Sequence, residues 1–107
     1  MTKSDKVQRV ESISLVIEKK LPPILVIQAT GTVPTLGYTN VHLEPYIYIT
    51  PPADGFYEFT FRATAPDGPA GEVVTTVEAT FPWEDYPQAT LRGVRIYAEQ
   101  NEREEKL

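Results

Sequence analysis

The chain has no cysteine, and among its 107 residues it has one histidine, one tryptophan and one methionine. Without cysteine there is no disulfide, no thiolate metal site and no cysteine nucleophile. A small β domain without disulfides also fits a reducing compartment. The three serines, Ser4, Ser12 and Ser14, lie at or before the first strand, and no G-x-S-x-G elbow occurs. His42 therefore has no nucleophile to activate, and it reads as a polar residue on the outward face of a strand. One histidine and no cysteine likewise remove ordinary zinc sites. Phosphate cradles are missing too: there is no Walker A and no G-x-G-x-x-G, and the six glycines stand singly at turns or bulges. The longest apolar run, Ile24–Ile27, is far short of the ~20 residues that cross a bilayer. The segment Met1–Gln8 is polar and has no apolar h-region, so no signal peptide is expected and a cytoplasmic location is favoured.

Positive charge is scarce in the middle of the chain. Residues 21–91 hold one base, Arg62, against eight acids, whereas residues 1–20 are net +2 and residues 92–107 are neutral. The total is −5. Nucleic-acid binding needs a basic patch that displaces counterions, and this body is acidic, so it is excluded. An anionic membrane surface is disfavoured on the same ground. Glu84 and Asp85 are adjacent in PWEDYP, and nothing in the sequence places Glu44 as a distant partner to them. A glycosidase needs two carboxylates roughly 5–9.5 Å apart across the scissile bond, which adjacent loop residues do not provide. No enzyme, no catalytic residue and no cofactor is expected.

What is present is a period of two. A length of 107 residues, 41% hydrophobic and 23% charged, is one soluble globular domain. Ile13, Leu15 and Ile17 alternate with Ser14 and Val16 in a first half-buried strand. A second runs over Ile24–Val33, where Gly31 marks a bulge or a close backbone approach. A third is expected over Val41–Thr50, with Val41, Leu43, Ile47 and Ile49 inward and His42, Glu44, Tyr46 and Tyr48 outward. Pro45 cannot donate to a ladder, so this strand lies at an edge or is bulged there. The fourth, Phe56–Thr64, turns Tyr57, Phe59, Phe61 and Ala63 inward and Glu58, Thr60 and Arg62 outward. The fifth covers Glu72–Phe81. The sixth covers Ala89–Glu99, with Arg95 and Tyr97 outward. Pro/Gly/Asn-rich stretches at 34–40, 51–55, 65–71 and 82–88 separate the last five. The polar tails outside residues 8–99 are expected to fray, with a marginal helical turn over 101–107.

Six or seven short strands at this spacing predict an all-β, immunoglobulin-like antiparallel β-sandwich as a single domain, with a small barrel as the rival. The stretch GTVPTLGYTNVHLEPYIYITPPADG at 31–55, with EFTFRAT at 58–64, resembles small uncharacterised bacterial β-sandwich proteins. The resemblance spans about residues 25–98. It implies a bacterial β-sandwich domain and no particular chemistry.

Aromatic placement carries the functional expectation. The loop PWEDYP presents Trp83 and Tyr86 beside Glu84 and Asp85, with Tyr38 in another loop. This is the first candidate surface for a partner. The rival reading has Trp83 fold back to plug the end of the sandwich. The outward tyrosines Tyr46, Tyr48 and Tyr97 are the second candidate surface. Together these predict a non-catalytic binding module for a protein partner or for a second copy of itself, since a sandwich has open strand edges. The alternative is a carbohydrate- or calcium-binding module. Sugar would stack on the outward tyrosines, and calcium would use Asp54, Asp67, Glu84 and Asp85 at the turns.

Overall fold

The computed structural model describes residues 4–68 and 70–107, and these hold eight strands. In chain order they are β1 (Ser4–Lys6), β2 (Arg9–Glu18), β3 (Ile24–Val33), β4 (Thr39–Pro45), β5 (Phe56–Thr64), β6 (Thr75–Glu84), β7 (Gly93–Tyr97) and β8 (Glu102–Lys106). β2, β3 and β6 form one antiparallel sheet with β3 at its centre. The second sheet is built around β5, which pairs with β4, β1 and β7, and β8 completes it beyond β7. The two sheets pack face to face into an all-β sandwich, with β2 beside β8 on one flank and β4 beside β6 on the other.

The two strands with the cleanest alternation became the two sheet centres, because a central strand must bury one whole side. Leu25, Ile27, Ala29 and Val33 of β3 meet Tyr57, Phe59, Phe61 and Ala63 of β5, with Val94 and Ile96 of β7 closing the core. Burying one such side chain contributes roughly 1.5–3 kcal/mol. Gly31 is both things that a glycine in a strand signals. Its backbone faces the bulge of β2 between Val10 and Ser12, and a Cβ there would stand 2.4 Å from the Arg9 carbonyl oxygen.

The structure departs from the expected strands in seven places, two of them in extent alone: β2 starts at Arg9, before the expected Ile13, and β7 covers only Gly93–Tyr97 of the expected Ala89–Glu99. β5 and β7 run parallel, so the sandwich is not antiparallel throughout. A parallel neighbour needs a long crossover. Here β6, in the opposite sheet, supplies it. β8 forms where a helical turn or frayed tail was expected. Its residues EREEK have no apolar rhythm, but their backbone pairs in register with β7 from Gly93↔Lys106 to Tyr97↔Glu102. β1 likewise extends the order beyond residue 8, pairing Ser4–Lys6 with Arg62–Thr64. β6 begins and ends three residues later than predicted, since Pro82 lies on an edge strand that needs no donor on its outer side. β4 stops at Pro45, so the expected strand to Thr50 is cut short and the inward set changes beyond the proline.

Candidate functional site

The change at Pro45 creates the most distinctive surface of the molecule. Ile47 and Ile49, expected inward, are 96% and 101% exposed. The chain beyond Pro45 is held against β5 by two anchors of different kinds. The Tyr46 backbone N–H donates to the Glu58 carbonyl at 3.0 Å. The next ladder acceptor is not a carbonyl but a side chain: the Glu58 N–H donates to the Tyr48 hydroxyl oxygen, also at 3.0 Å. The Tyr48 hydroxyl in turn donates to Glu58 Oε1 at 3.1 Å, and its ring stands edge-on to Tyr57 at 5.3 Å. Tyr48 is therefore half-buried and faces the core margin. With 46 and 48 fixed, 47 and 49 alternate out to solvent.

The outward face of β5, β7 and β8 underlies this segment. Register aligns Glu58 with Arg95 and Glu104, and Thr60 with Tyr97 and Glu102. Glu58 Oε2 accepts from the Tyr97 hydroxyl and from Arg95 Nη1, the latter at 3.1 Å. Arg95 also reaches Asp54 Oδ2 at 3.0 Å, Glu104 at 3.4 Å and Glu102 at 3.9 Å, and its guanidinium lies 5.5 Å from the Phe56 ring centre. One cation thus gathers four carboxylates. The Tyr97 hydroxyl, with Arg95 and Tyr48, holds the Glu58 carboxyl below the usual range. Asp54 is lowered by the Phe56 N–H and Arg95, and Arg95 is raised in return, first by Asp54. Burial pushes the Tyr48 phenol up to about 12, and the bond to Glu58 pushes Tyr97 up to about 12. Every oxygen of Glu58 is occupied. This cluster is a clamp between strands.

Tyr46 lies over the same face, its ring 6.1 Å from that of Tyr97 at a 40° tilt, and it is 47% exposed. Beside it, Glu44, Pro45, Tyr46, Ile47, Thr60 and Arg62 line a shallow depression. Arg62 Nε donates to Glu44 Oε1 at 3.0 Å along its rim. Tyr46, Tyr48 and Tyr97 are thus brought together, although Tyr48 turns inward.

The other candidate surface is not assembled as a tip. Trp83 lies within β6, on the inward side that continues from Ala79 and Phe81. Its ring stands edge-on to Tyr57 at 5.5 Å and to Phe59 at 5.6 Å, and Phe81 is 6.3 Å away. It closes the end of the core, as the plug reading has it. Tyr86 is buried, and Tyr38 is half-buried against the core. Only Glu84 and Asp85 are exposed, Asp85 with a left-handed φ of 51°. His42 is half-buried, its ring Nδ1 2.7 Å from the Asn40 carbonyl oxygen. Among the described residues no three His, Asp or Glu side chains converge on a point that could hold a metal ion. Asp54, one of the four acids of the calcium alternative, is committed to Arg95 and the Phe56 N–H.

Ile47, Ile49 and the Glu58–Arg95 clamp were not singled out from the sequence. The alternation placed both isoleucines in the core, because nothing in one strand's pattern tells that its ladder ends at a proline. Glu58, Arg95 and Tyr97 were placed outward, but joining them requires knowing that β5 and β7 are parallel neighbours. Compared with models of known protein families, with curated proteins and with solved structures, the chain has no match.

Proposed function

We propose that this protein is a non-catalytic protein-binding module on an immunoglobulin-like scaffold, whose contact surface centres on Tyr46, Ile47 and Ile49. The observation that carries the reading is the full exposure of two isoleucines on a segment anchored at Tyr46 and Tyr48. Single exposed apolar residues need no explanation. Two β-branched ones, presented side by side by a chain already ordered, lose little entropy on binding and desolvate readily. Tyr46 adds an aromatic anchor, and the Glu44–Arg62 pair adds a polar rim, the usual anatomy of a contact patch. A carbohydrate reading is less favoured, because the exposed Tyr46 ring is tilted onto Tyr97 and does not offer an open stacking platform.

The test places a photo-crosslinking side chain at Ile47 or Ile49 in the producing cell. The expected result is a discrete covalent adduct with one protein, absent when the same group replaces Val74, which is also exposed. In parallel, purified protein is melted with calcium, with chelator and with an oligosaccharide panel. A ligand at 100 times its Kd stabilises by about 2.7 kcal/mol. For a domain of this size that is a shift of roughly 10 °C. Such a shift overturns the reading in favour of the calcium or sugar alternative.

A further inference from the structure

Five strands pair on one side only, β1, β2, β4, β6 and β8; β1 is only three residues long, and three of the others are guarded. β4 ends on Pro45, and β6 carries Pro82. β8 is charged at every position, and Arg103 and Glu105, in register with Ile96 and Val94, take the inward side. Proline, charge and inward-pointing charge are the devices that keep sheet edges from pairing. β2 has none of them from Ser12 to Ile17, the sequence SISLVI. It is ten residues long and pairs on one side only, with β3. Its inward residues Ile13, Leu15 and Ile17 are only partly covered, and Val16 on the other side is 54% exposed. At its start the edge is occupied: Asn101 accepts from the Val10 N–H at 2.8 Å and donates to the Val10 carbonyl at 2.9 Å. The unguarded stretch begins two residues on, at Ser12.

We infer that β2 is a dimer edge, pairing antiparallel with β2 of a second copy about a two-fold axis at Leu15. Faces must match across a continuous sheet, so residues directly opposite must share parity. Centring on Leu15 sets Leu15 against itself, Ile13 against Ile17 and Ser12 against Glu18. It also sets Glu11 against Lys19, twice by symmetry. Centring one residue earlier, on Ser14, sets Arg9 against Lys19, a like-charge pair that disfavours that register. Lys19 is exposed and has no ion pair of its own among the described residues. Two three-stranded sheets become one six-stranded sheet, and the pairing consumes the unguarded edge of each copy, so the assembly closes at two. β2 lies on the flank opposite β4, so this inference does not rest on the binding surface proposed above.

The absence of native cysteine gives a direct test. In the proposed register a Leu15→Cys side chain faces its own copy at about 5 Å between Cβ atoms, close to disulfide span. A Val16→Cys side chain faces Ser14 of the other copy, and its own counterpart is about 7–8 Å away diagonally, too far to bridge. Mild oxidation is expected to give a covalent dimer from Leu15→Cys and to leave Val16→Cys, the more exposed position, unlinked. Sedimentation of the parent protein is expected to show a dimer. Glu11→Lys is expected to weaken it at least tenfold, and Glu11→Lys with Lys19→Glu to restore it. A monomer at all concentrations, open-ended aggregates, equal crosslinking at 15 and 16, or no rescue by the charge swap overturns the inference. Loss of the cell adduct at Ile47 leaves these outcomes unchanged, so the two readings fail separately.

Discussion

Removing one oxygen atom, by Tyr48→Phe, tests the account of how the chain beyond Pro45 is held. The ring stays and keeps its edge-on packing against Tyr57. Two hydrogen bonds go: the one donated to the Glu58 carboxylate and the one accepted from the Glu58 N–H. A bond to a charged group contributes about 1.5–3 kcal/mol, and a buried N–H left without an acceptor costs about 1–3 kcal/mol. The site is half-buried at an edge, so water recovers part of both. A net loss of about 2 kcal/mol is expected, or a fall in Tm of roughly 10 °C. Urea unfolding measures it, with m unchanged if the unfolded state is unaffected. Tyr46→Phe is the control, because its hydroxyl has no partner among the described residues; it should change stability by less than about 0.5 kcal/mol. The pH dependence is an independent readout. Both the Tyr48 and Tyr97 phenols are pushed up to about 12, so the fold favours their neutral forms. Their contribution is complete below the ordinary phenol pKa of about 10 and is lost as pH rises towards 12. The parent should lose stability over that window more steeply than the Tyr48→Phe/Tyr97→Phe double variant. If Tyr48→Phe costs no more than Tyr46→Phe, the hydroxyl is not a ladder acceptor and the presentation of Ile47 and Ile49 needs another cause.

At acid pH the sign reverses. Glu58 and Asp54 lie below their ordinary range, so their contribution is present above about pH 4 and fades as pH falls through the lowered values. Glu58→Gln should therefore be destabilised at pH 7 and converge on the parent as pH falls through the lowered Glu58 value, as followed by urea midpoint against pH. Trp83→Ala should cost about 3 kcal/mol or more, read by thermal melting, because its ring closes the core end against Tyr57 and Phe59; a neutral result would return Trp83 to the surface. Gly31→Ala should cost at least about 2 kcal/mol by overpacking, since the new methyl meets the Arg9 carbonyl and the Phe61 ring. Ile47→Asp with Ile49→Asp should leave Tm within a few degrees, because neither side chain is buried.

Much of the sandwich was legible because burial writes itself into alternation. β3 and β5 match their predicted limits residue for residue, since each buries one full side between strong turn signals. β8 was illegible because its order comes from a neighbour's backbone and from Arg95, not from apolar residues of its own. Trp83 looked like a loop residue because Pro82 reads as a breaker, yet an edge strand tolerates it. The candidate site was the least legible part. It depends on Glu58 and Arg95, 37 positions apart, meeting across a parallel pair, and local periodicity gives faces but not neighbours.

The parallel pairing of β5 with β7 also bears on the order in which a nascent chain completes itself. β2, β3 and β6 have all their partners once Glu84 has been made. β5 does not: β7 and β8 come last, and Glu99 and Gln100 then bond back to the Val7 and Gln8 carbonyls. The Asn101 clamp on Val10 spans 91 positions. Contacts this remote close late and slowly. With synthesis at about 5–20 residues per second, β5 waits on the order of a second or more for β7, whose Val94 and Ile96 close the core. A ribosome paused before Gly93 holds the β2–β3–β6 sheet and the β1–β5–β4 strands with the edge of β5 that β7 will cover still open.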